Sequence, residues 1–173
     1  MKSLPKVAFL TGVMRYRRWV GIGAAVILGG IFIIAGAGKI PQQTETYVII
    51  FGLLRSTFEP LLGNYIDFWL PRAELGLGIL LVLSIAAKLM ATFSIVLSFA
   101  FIVNNGIAVF MGWGGGCPCG CFGAIPILGQ MTITQALWID IGMLALGLVI
   151  LFCYPGGWLT VRPWFFNKGE DTG

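Results

Sequence analysis

Long apolar stretches without charge constrain this chain more than any other feature. Residues 19–38 contain no charged side chain, and neither do residues 91–111. A helix rises 1.5 Å per residue, so about 20 such residues cross the roughly 30 Å hydrocarbon core of a bilayer. Only 10% of the residues are charged and 58% are hydrophobic, whereas a soluble domain carries about 25% charged residues. These figures exclude a soluble domain and a disordered chain, and they predict a membrane protein.

Four apolar stretches are predicted to cross the membrane as helices. Pro71 suits the first turn of the second helix, where its missing N–H costs nothing. A tight turn at 88–91 would make the second and third helices antiparallel neighbours. The predicted fold is an all-α membrane protein, a bundle of four transmembrane helices. The predicted spans cover residues 19–38, 71–87, 91–111 and 132–154. The chain is thus divided into a basic N-terminal segment 1–18, a transmembrane domain 19–154 and a C-terminal tail 155–173.

The distribution of Lys and Arg predicts the orientation of the bundle, because cytoplasmic loops carry an excess of both. Both termini are expected in the cytoplasm, and the segments 39–71 and 112–131 outside. The net charge of +4 follows from this arrangement and needs no nucleic-acid partner. Basic residues of the cytoplasmic side are Lys2, Lys6, Arg15, Arg17, Arg18, Lys88, Arg162 and Lys168, and those of the outer side are Lys39, Arg55 and Arg72.

Two further segments bear on the membrane assignment. Between 42 and 70, aromatic and aliphatic residues alternate with charges such as Arg55 and Glu59, which predicts an amphipathic outer loop at the lipid headgroups. Ala35-Gly36-Ala37 resembles a signal-peptide cleavage site, but the apolar run before it exceeds the roughly 7–15 residues of a signal core. We therefore expect the first span to be retained.

Three cysteines within five residues, Cys117, Cys119 and Cys121, are the most specific chemical signal in the chain. They lie in the second outer segment, on the side where disulfides persist. The chain has no histidine, so the commonest proton carrier and zinc ligand is missing. Three interpretations stay open: a redox-active pair with a third thiol, a structural disulfide, and a Cu(I) site formed by the three sulfurs.

The spacing of the cluster leaves the redox pair undecided. A turn through Pro118 and Gly120 lets Cys117 meet Cys121, whereas a Cys119–Cys121 bond is tighter and more strained. Strained, exposed disulfides are the labile and catalytic kind, and a third thiol allows internal exchange. Cys153, by contrast, lies among apolar residues of the last span and is expected to act as a small apolar side chain.

Ionisable residues near the outer ends of the spans are candidates to tune these thiols. Lys39 would lower a thiol pKa, and Glu74 would exchange a proton with it. The structural alternatives are that Lys39 extends to the headgroups and that Glu74 is a first-turn carboxylate favoured by the helix dipole. Asp140 is expected to face the bundle interior and to find a partner in Asn104 or Asn105, as proton relay or as helix glue.

Three strings resemble the MauE branch of the DoxX-like membrane proteins. They are Cys119-Gly120-Cys121-Phe122-Gly123, Gly36-Ala37-Gly38-Lys39, and Leu70 to Gly78 with its Pro71 and Glu74. The resemblance covers about residues 19–154 and implies a four-helix bacterial inner-membrane protein associated with thiol redox chemistry. Resemblance to MauE-like proteins also implies a link to the maturation of disulfide-rich periplasmic enzymes. Resemblance to DoxX-like proteins implies a link to quinone-coupled sulfur oxidation. Cys117 departs from the family pair by adding a third thiol.

Together these observations predict a membrane thiol–disulfide redox protein. It would exchange electrons between a periplasmic disulfide-bearing partner and the quinone pool, with no covalent cofactor. Cys119 and Cys121 are the expected couple, Cys117 the resolving or entry thiol, Lys39 the thiolate stabiliser and Glu74 the proton acceptor. The alternative is a non-catalytic accessory subunit of a larger membrane redox or photosynthetic complex, packed through small residues such as those of 142–147.

Overall fold

A computed structural model describes the backbone of residues 4–40, 61–112 and 131–154, and the side chains of 16–40, 68–112 and 131–154. These residues form four helices: α1 (Leu4–Lys39), α2 (Leu61–Val82), α3 (Ala87–Phe110) and α4 (Ile133–Cys153). Three of them are long and apolar enough to cross a membrane, over Tyr16–Lys39, Ala87–Phe110 and Ile133–Cys153. The described part of the chain is therefore an all-helical membrane protein. Because the helix α2 carries Asp67, Arg72 and Glu74, its composition does not establish that it crosses the membrane.

The helices pack as antiparallel pairs. The largest interfaces join α1 to α2 and α3 to α4, α1 also packs on α4, and α2 makes few contacts with α3. Gly29 lies against Gly78, and Gly36 lies against Pro71, so α1 and α2 run in opposite directions. The core between the helices is apolar and centres on Leu28, Phe32, Leu81, Met143 and Ile150, with Ala24, Ala25 and Ala91 filling the closest approaches.

Glycines allow α1 and α2 to approach at backbone distance. A Cβ atom placed on Gly29 would lie 2.7 Å from the carbonyl oxygen of Gly78, and one on Gly36 would lie 2.7 Å from that of Pro71. Seven residues separate the two glycines, so both occupy one face of α1. Such small-residue contacts are the usual means of close helix packing in membranes, where burial of apolar surface gives no advantage over lipid.

The second helix differs from the sequence prediction at both ends. It begins at Leu61, so Pro71 lies inside the helix rather than in its first turn. It ends at Val82, and residues 83–86 form the turn, several residues before the predicted turn at 88–91. Ser84 and Ala86 take left-handed backbone angles, with φ of 56° and 48°. A left-handed residue costs roughly 1–2 kcal/mol without glycine, so the residue types did not reveal this turn.

The fourth helix begins where the sequence predicts. Thr132 is its N-cap: the Thr132 hydroxyl accepts a hydrogen bond from the Gln135 backbone N–H, and the Gln135 side chain accepts one from Thr132 N–H. This capping box satisfies two amide groups that have no partner within the helix. The third and fourth predicted spans are confirmed as helices to within a few residues.

The close approach of α1 and α2 predicts a sharp difference between two adjacent glycines. In Gly29→Ala the new methyl group meets a backbone oxygen, so the helices must move apart, and we expect a loss of about 1–3 kcal/mol in the free energy of unfolding. Gly30→Ala is the matched control, because nothing lies within 4 Å of a Cβ at Gly30. Unfolding in mixed micelles should leave Gly30→Ala as stable as the wild type or more so. Equal losses in both variants would contradict the close packing.

Candidate functional site

A buried ion pair joins α1 to α2. The Lys39 Nζ donates to both carboxylate oxygens of Glu74, at 2.8 and 2.9 Å. Glu74 is 1% exposed and Lys39 8%, so the pair is removed from solvent on nearly every side. Bidentate pairing of this kind offsets the desolvation of both charges, which would be costly for either one alone.

The glycine contact explains why these two side chains meet. Gly36 brings the backbone of α1 against Pro71 and Leu75 of α2, one turn from Lys39 along α1. Lys39 is the last residue of α1, and Glu74 faces it from the adjoining turn of α2. The sequence placed both residues at one membrane level, but gave them separate roles and did not predict that they bind each other.

The structural alternatives stated above for Lys39 and for Glu74 are both wrong. Lys39 does not extend to the headgroups, because its ammonium group lies inside the bundle on Glu74. Glu74 is not a first-turn carboxylate, because α2 begins at Leu61, more than three turns earlier. The ammonium group also lies 5.3 Å from the centre of the Phe101 ring of α3, a cation–π distance. Phe101 was not predicted as a site residue, since its pattern in the sequence is that of an ordinary apolar residue.

A second buried polar contact joins α3 to α4. The Asn105 amide donates to a carboxylate oxygen of Asp140 at 2.7 Å, and the Asn104 amide lies 3.4 Å from the Asn105 side-chain oxygen. Both asparagines and Asp140 are buried. The expectation that Asp140 faces the interior and finds an asparagine is confirmed. In lipid this contact satisfies groups that would otherwise be costly to bury.

The two contacts lie at the same end of the bundle, which we call the polar end. Here α1 ends, α3 ends five residues after Asn105, and α4 begins seven residues before Asp140. The chain leaves the described helices at Gly112 and returns at Met131 on this same end. The cluster Cys117, Cys119 and Cys121 falls between those points, outside the described residues, as does most of the predicted amphipathic loop.

The opposite end of the bundle has a different character. The guanidinium of Arg17 donates to the backbone carbonyl of Phe152 at 2.7 Å. A cation is favourable at this position because the C-terminus of α4 carries the negative end of the helix dipole. Cys153 lies beside it as a free, half-buried thiol, consistent with its expected role as a small apolar side chain. Among the described residues, no three Cys, Asp or Glu side chains lie close enough to hold a metal ion. The Cu(I) interpretation concerns cysteines outside them.

The buried pair predicts a strong asymmetry between single and double substitution. Lys39→Met leaves the Glu74 carboxylate buried without its cation, so we expect a loss of about 3–5 kcal/mol in the free energy of unfolding. In the double variant Lys39→Met/Glu74→Met both charges are gone, and most of that loss should be recovered. Arg72→Gln is the control, because Arg72 is exposed and its contacts with the carbonyl and the ring of Phe68 lie within α2, so its removal should cost about 1 kcal/mol or less. Unfolding in mixed micelles measures all three, and a double variant no more stable than Lys39→Met would contradict the pairing.

Comparison with known proteins agrees with this architecture. The family model described as methylamine utilisation protein MauE matches residues 17–153. This range includes all described side chains except those of Tyr16 and Tyr154. No curated protein and no solved structure matches the chain significantly. The matched region covers most of the 173 residues and confirms the resemblance to MauE noted in the sequence. The chain therefore belongs to the MauE family of membrane proteins.

Proposed function

We propose that this protein is a membrane thiol–disulfide redox protein that carries electrons from a periplasmic dithiol to the quinone pool. Cys119 and Cys121 form the working couple, and Cys117 is the thiol through which the partner enters. The family description links such proteins to methylamine utilisation. The partner in this proposal is accordingly a disulfide-bearing periplasmic protein of that process.

The observation that carries the proposal is the position of the buried charges. Within the described helices the buried ionisable residues are Lys39, Glu74 and Asp140, and all three lie at the polar end, where the cysteine segment joins α3 to α4. Ionisable residues inside a membrane bundle are costly and mark functional sites by default. A loop disulfide that served only as a staple would not need them.

The proposed topology has four membrane crossings. The helix α2 runs antiparallel to α1 from Gly36 to beyond Gly29, so it lies at the same depth along its length. Its Glu74 is neutralised by Lys39, which lowers the main cost of placing α2 in lipid. In this topology both termini are cytoplasmic and the polar end is on the periplasmic side of the inner membrane, and the bias of basic residues supports that orientation.

The reaction balances in two stages. Cys117 first attacks the disulfide of the couple, so that it holds one sulfur of a disulfide and one thiol of the couple is released. A partner thiol then attacks Cys117, and the partner's second thiol displaces it, so the partner leaves oxidised and Cys119 and Cys121 are left as two thiols. The two thiols then return to a disulfide by giving two electrons and two protons to a quinone, which becomes a quinol. Quinone is the electron acceptor named by this proposal, and the cysteine segment is where the thiols would meet it.

The Lys39–Glu74 pair gives the thiols a route to ionise. Transfer of a thiol proton to Glu74 would neutralise the carboxylate and leave the positive charge of Lys39 facing the new thiolate. The net charge of the site is the same before and after this transfer, which is the condition for proton movement in a medium of low dielectric constant. The roles proposed for the two residues, proton acceptor and thiolate stabiliser, are then two parts of one step.

The second candidate function is that of a non-catalytic accessory subunit. The outward face of α4 favours it: Trp138 is 69% exposed and Phe152 also 69%, and open space surrounds a Cβ at Gly142. An exposed small residue between large apolar ones suits the helix of a larger complex. In this function the cysteines would form a fixed disulfide.

A redox titration separates the two functions. Free thiols of the purified protein in nanodiscs are alkylated across a series of glutathione potentials and mapped by mass spectrometry. We expect a pair that includes Cys119 or Cys121 with a midpoint well above about −300 mV, below which structural disulfides usually lie. Cys153→Ser is the control, because it removes a thiol at the opposite end and should leave the midpoint unchanged. A pair that stays oxidised under strong reductant would contradict the redox function and favour the accessory subunit.

A further inference from the structure

We propose that the outward face of α2 binds one anionic phospholipid, with the phosphate on Arg72 and an acyl chain passing over Gly76. This face lies opposite the one that packs on α1 through Glu74 and Gly78. The inference does not depend on the proposed thiol chemistry. Members of the face recur every three or four residues, which puts them on one side of a helix, and they are Phe68, Arg72, Gly76 and Ile79.

The packing on α1 sets the depth of Arg72 in the membrane. Pro71 of α2 lies against Gly36 of α1, and α1 is long and apolar enough to cross a membrane. Trp19 precedes Gly36 by 17 residues. Trp69 precedes Pro71 by two residues on a helix that runs the opposite way. At 1.5 Å per residue, the two tryptophans are therefore roughly 29 Å apart along the bundle.

This separation places Arg72 at the lipid headgroups of the polar end. Trp19 and Trp69 are both exposed, and tryptophans gather at the two boundaries of the hydrocarbon layer. The hydrocarbon layer of a bilayer is about 30 Å thick, which matches their spacing. Arg72 lies within one turn of Trp69 along α2, so its long side chain reaches the headgroup layer.

Contacts within α2 fix the guanidinium of Arg72. It donates from Nη1 to the backbone carbonyl of Phe68, and its central carbon lies 3.4 Å from the centre of the Phe68 ring. The Trp69 ring meets that of Phe68 edge to face, with the ring centres 5.6 Å apart. The side chain thus points towards the start of α2 and away from the hydrocarbon. A guanidinium has five N–H donors, so this bond leaves others for a ligand on an exposed side chain.

A guanidinium held in this way fits the phosphate of a lipid. Arginine binds a phosphate through two parallel N–H bonds, and a side chain fixed beforehand loses less entropy on binding. The phosphate of phosphatidylglycerol has no cation in its own headgroup, whereas the choline of phosphatidylcholine competes with Arg72 for the phosphate. The site should therefore prefer the anionic lipid.

The surface deeper in the membrane accommodates the acyl chain. Nothing lies within 4 Å of a Cβ placed on Gly76, one turn beyond Arg72 on the same face. Ile79 follows as an exposed apolar side chain. The missing side chain of Gly76 leaves a shallow apolar track that continues from the guanidinium into the hydrocarbon layer. A free phosphate ion makes no use of this track, so the ligand that fits both parts is a phospholipid.

Native mass spectrometry of the full chain in detergent tests the charge selectivity. The dissociation constant of the first bound lipid is measured for phosphatidylglycerol and for phosphatidylcholine. We expect the wild type to prefer phosphatidylglycerol about fivefold, and Arg72→Gln to bind both lipids alike. Arg17→Gln is the matched control, because Arg17 is also exposed but lies at the opposite end of the bundle, and it should keep the preference. An unchanged preference in Arg72→Gln would overturn the proposal, and so would equal losses in both variants.

A substitution that leaves the charge unchanged tests the acyl track. In Gly76→Leu the new side chain fills the track, and we expect phosphatidylglycerol to bind about threefold more weakly because the acyl chain loses van der Waals contacts there. Gly142→Leu is the control, since open space also surrounds a Cβ at Gly142 on α4, and its affinity should equal that of the wild type. Inorganic phosphate should not displace the lipid. Wild-type affinity in Gly76→Leu, or displacement of the lipid by inorganic phosphate, would contradict a phospholipid on this face.

Discussion

The ion pair between Lys39 and Glu74 is the interaction on which the rest of the polar end depends. A charge inside a membrane bundle persists only when a partner compensates it, and here the partner comes from another helix. The pair therefore sets the register of α1 against α2, and it requires the close approach that Gly36 permits. The contact of Lys39 with the Phe101 ring extends the same constraint to α3, where direct packing with α2 is slight.

Stability alone does not account for such a pair. Replacing a buried ion pair by apolar residues of similar volume is often neutral or stabilising, and lipid makes apolar residues the natural filling of a membrane bundle. Among the described residues, the core away from the polar end holds no buried charge and encloses Leu28, Phe32 and Ile150. Concentration of the buried charges at one end is thus best explained by chemistry at that end, next to the points where the cysteine segment leaves and returns.

Some parts of this architecture could be predicted from residue types and others depend on how distant elements meet. Runs of uncharged residues predict α3, α4 and the part of α1 from Trp19 onward, but not the start of α1 at Leu4. Thr132 with Gln135 marks the start of α4 because their side chains cap it locally. The partner of Asp140 followed from the scarcity of polar groups in the spans. By contrast, Pro71 suggested a helix start and proved to lie inside α2, and the turn at 83–86 uses left-handed Ser84 and Ala86 in place of glycine. The Lys39–Glu74 pairing depends on the register of two helices, which no local pattern contains.

The central claim is that electrons pass from a dithiol through the cysteine couple to a quinone. The most direct measurement is quinol formation under anaerobic conditions, with the protein in nanodiscs, a dithiol as electron donor and a quinone as acceptor. The account predicts one quinol for each disulfide formed, at a rate lost in Cys119→Ser/Cys121→Ser and kept in Cys153→Ser. Equal rates in the wild type and in the double variant would contradict it.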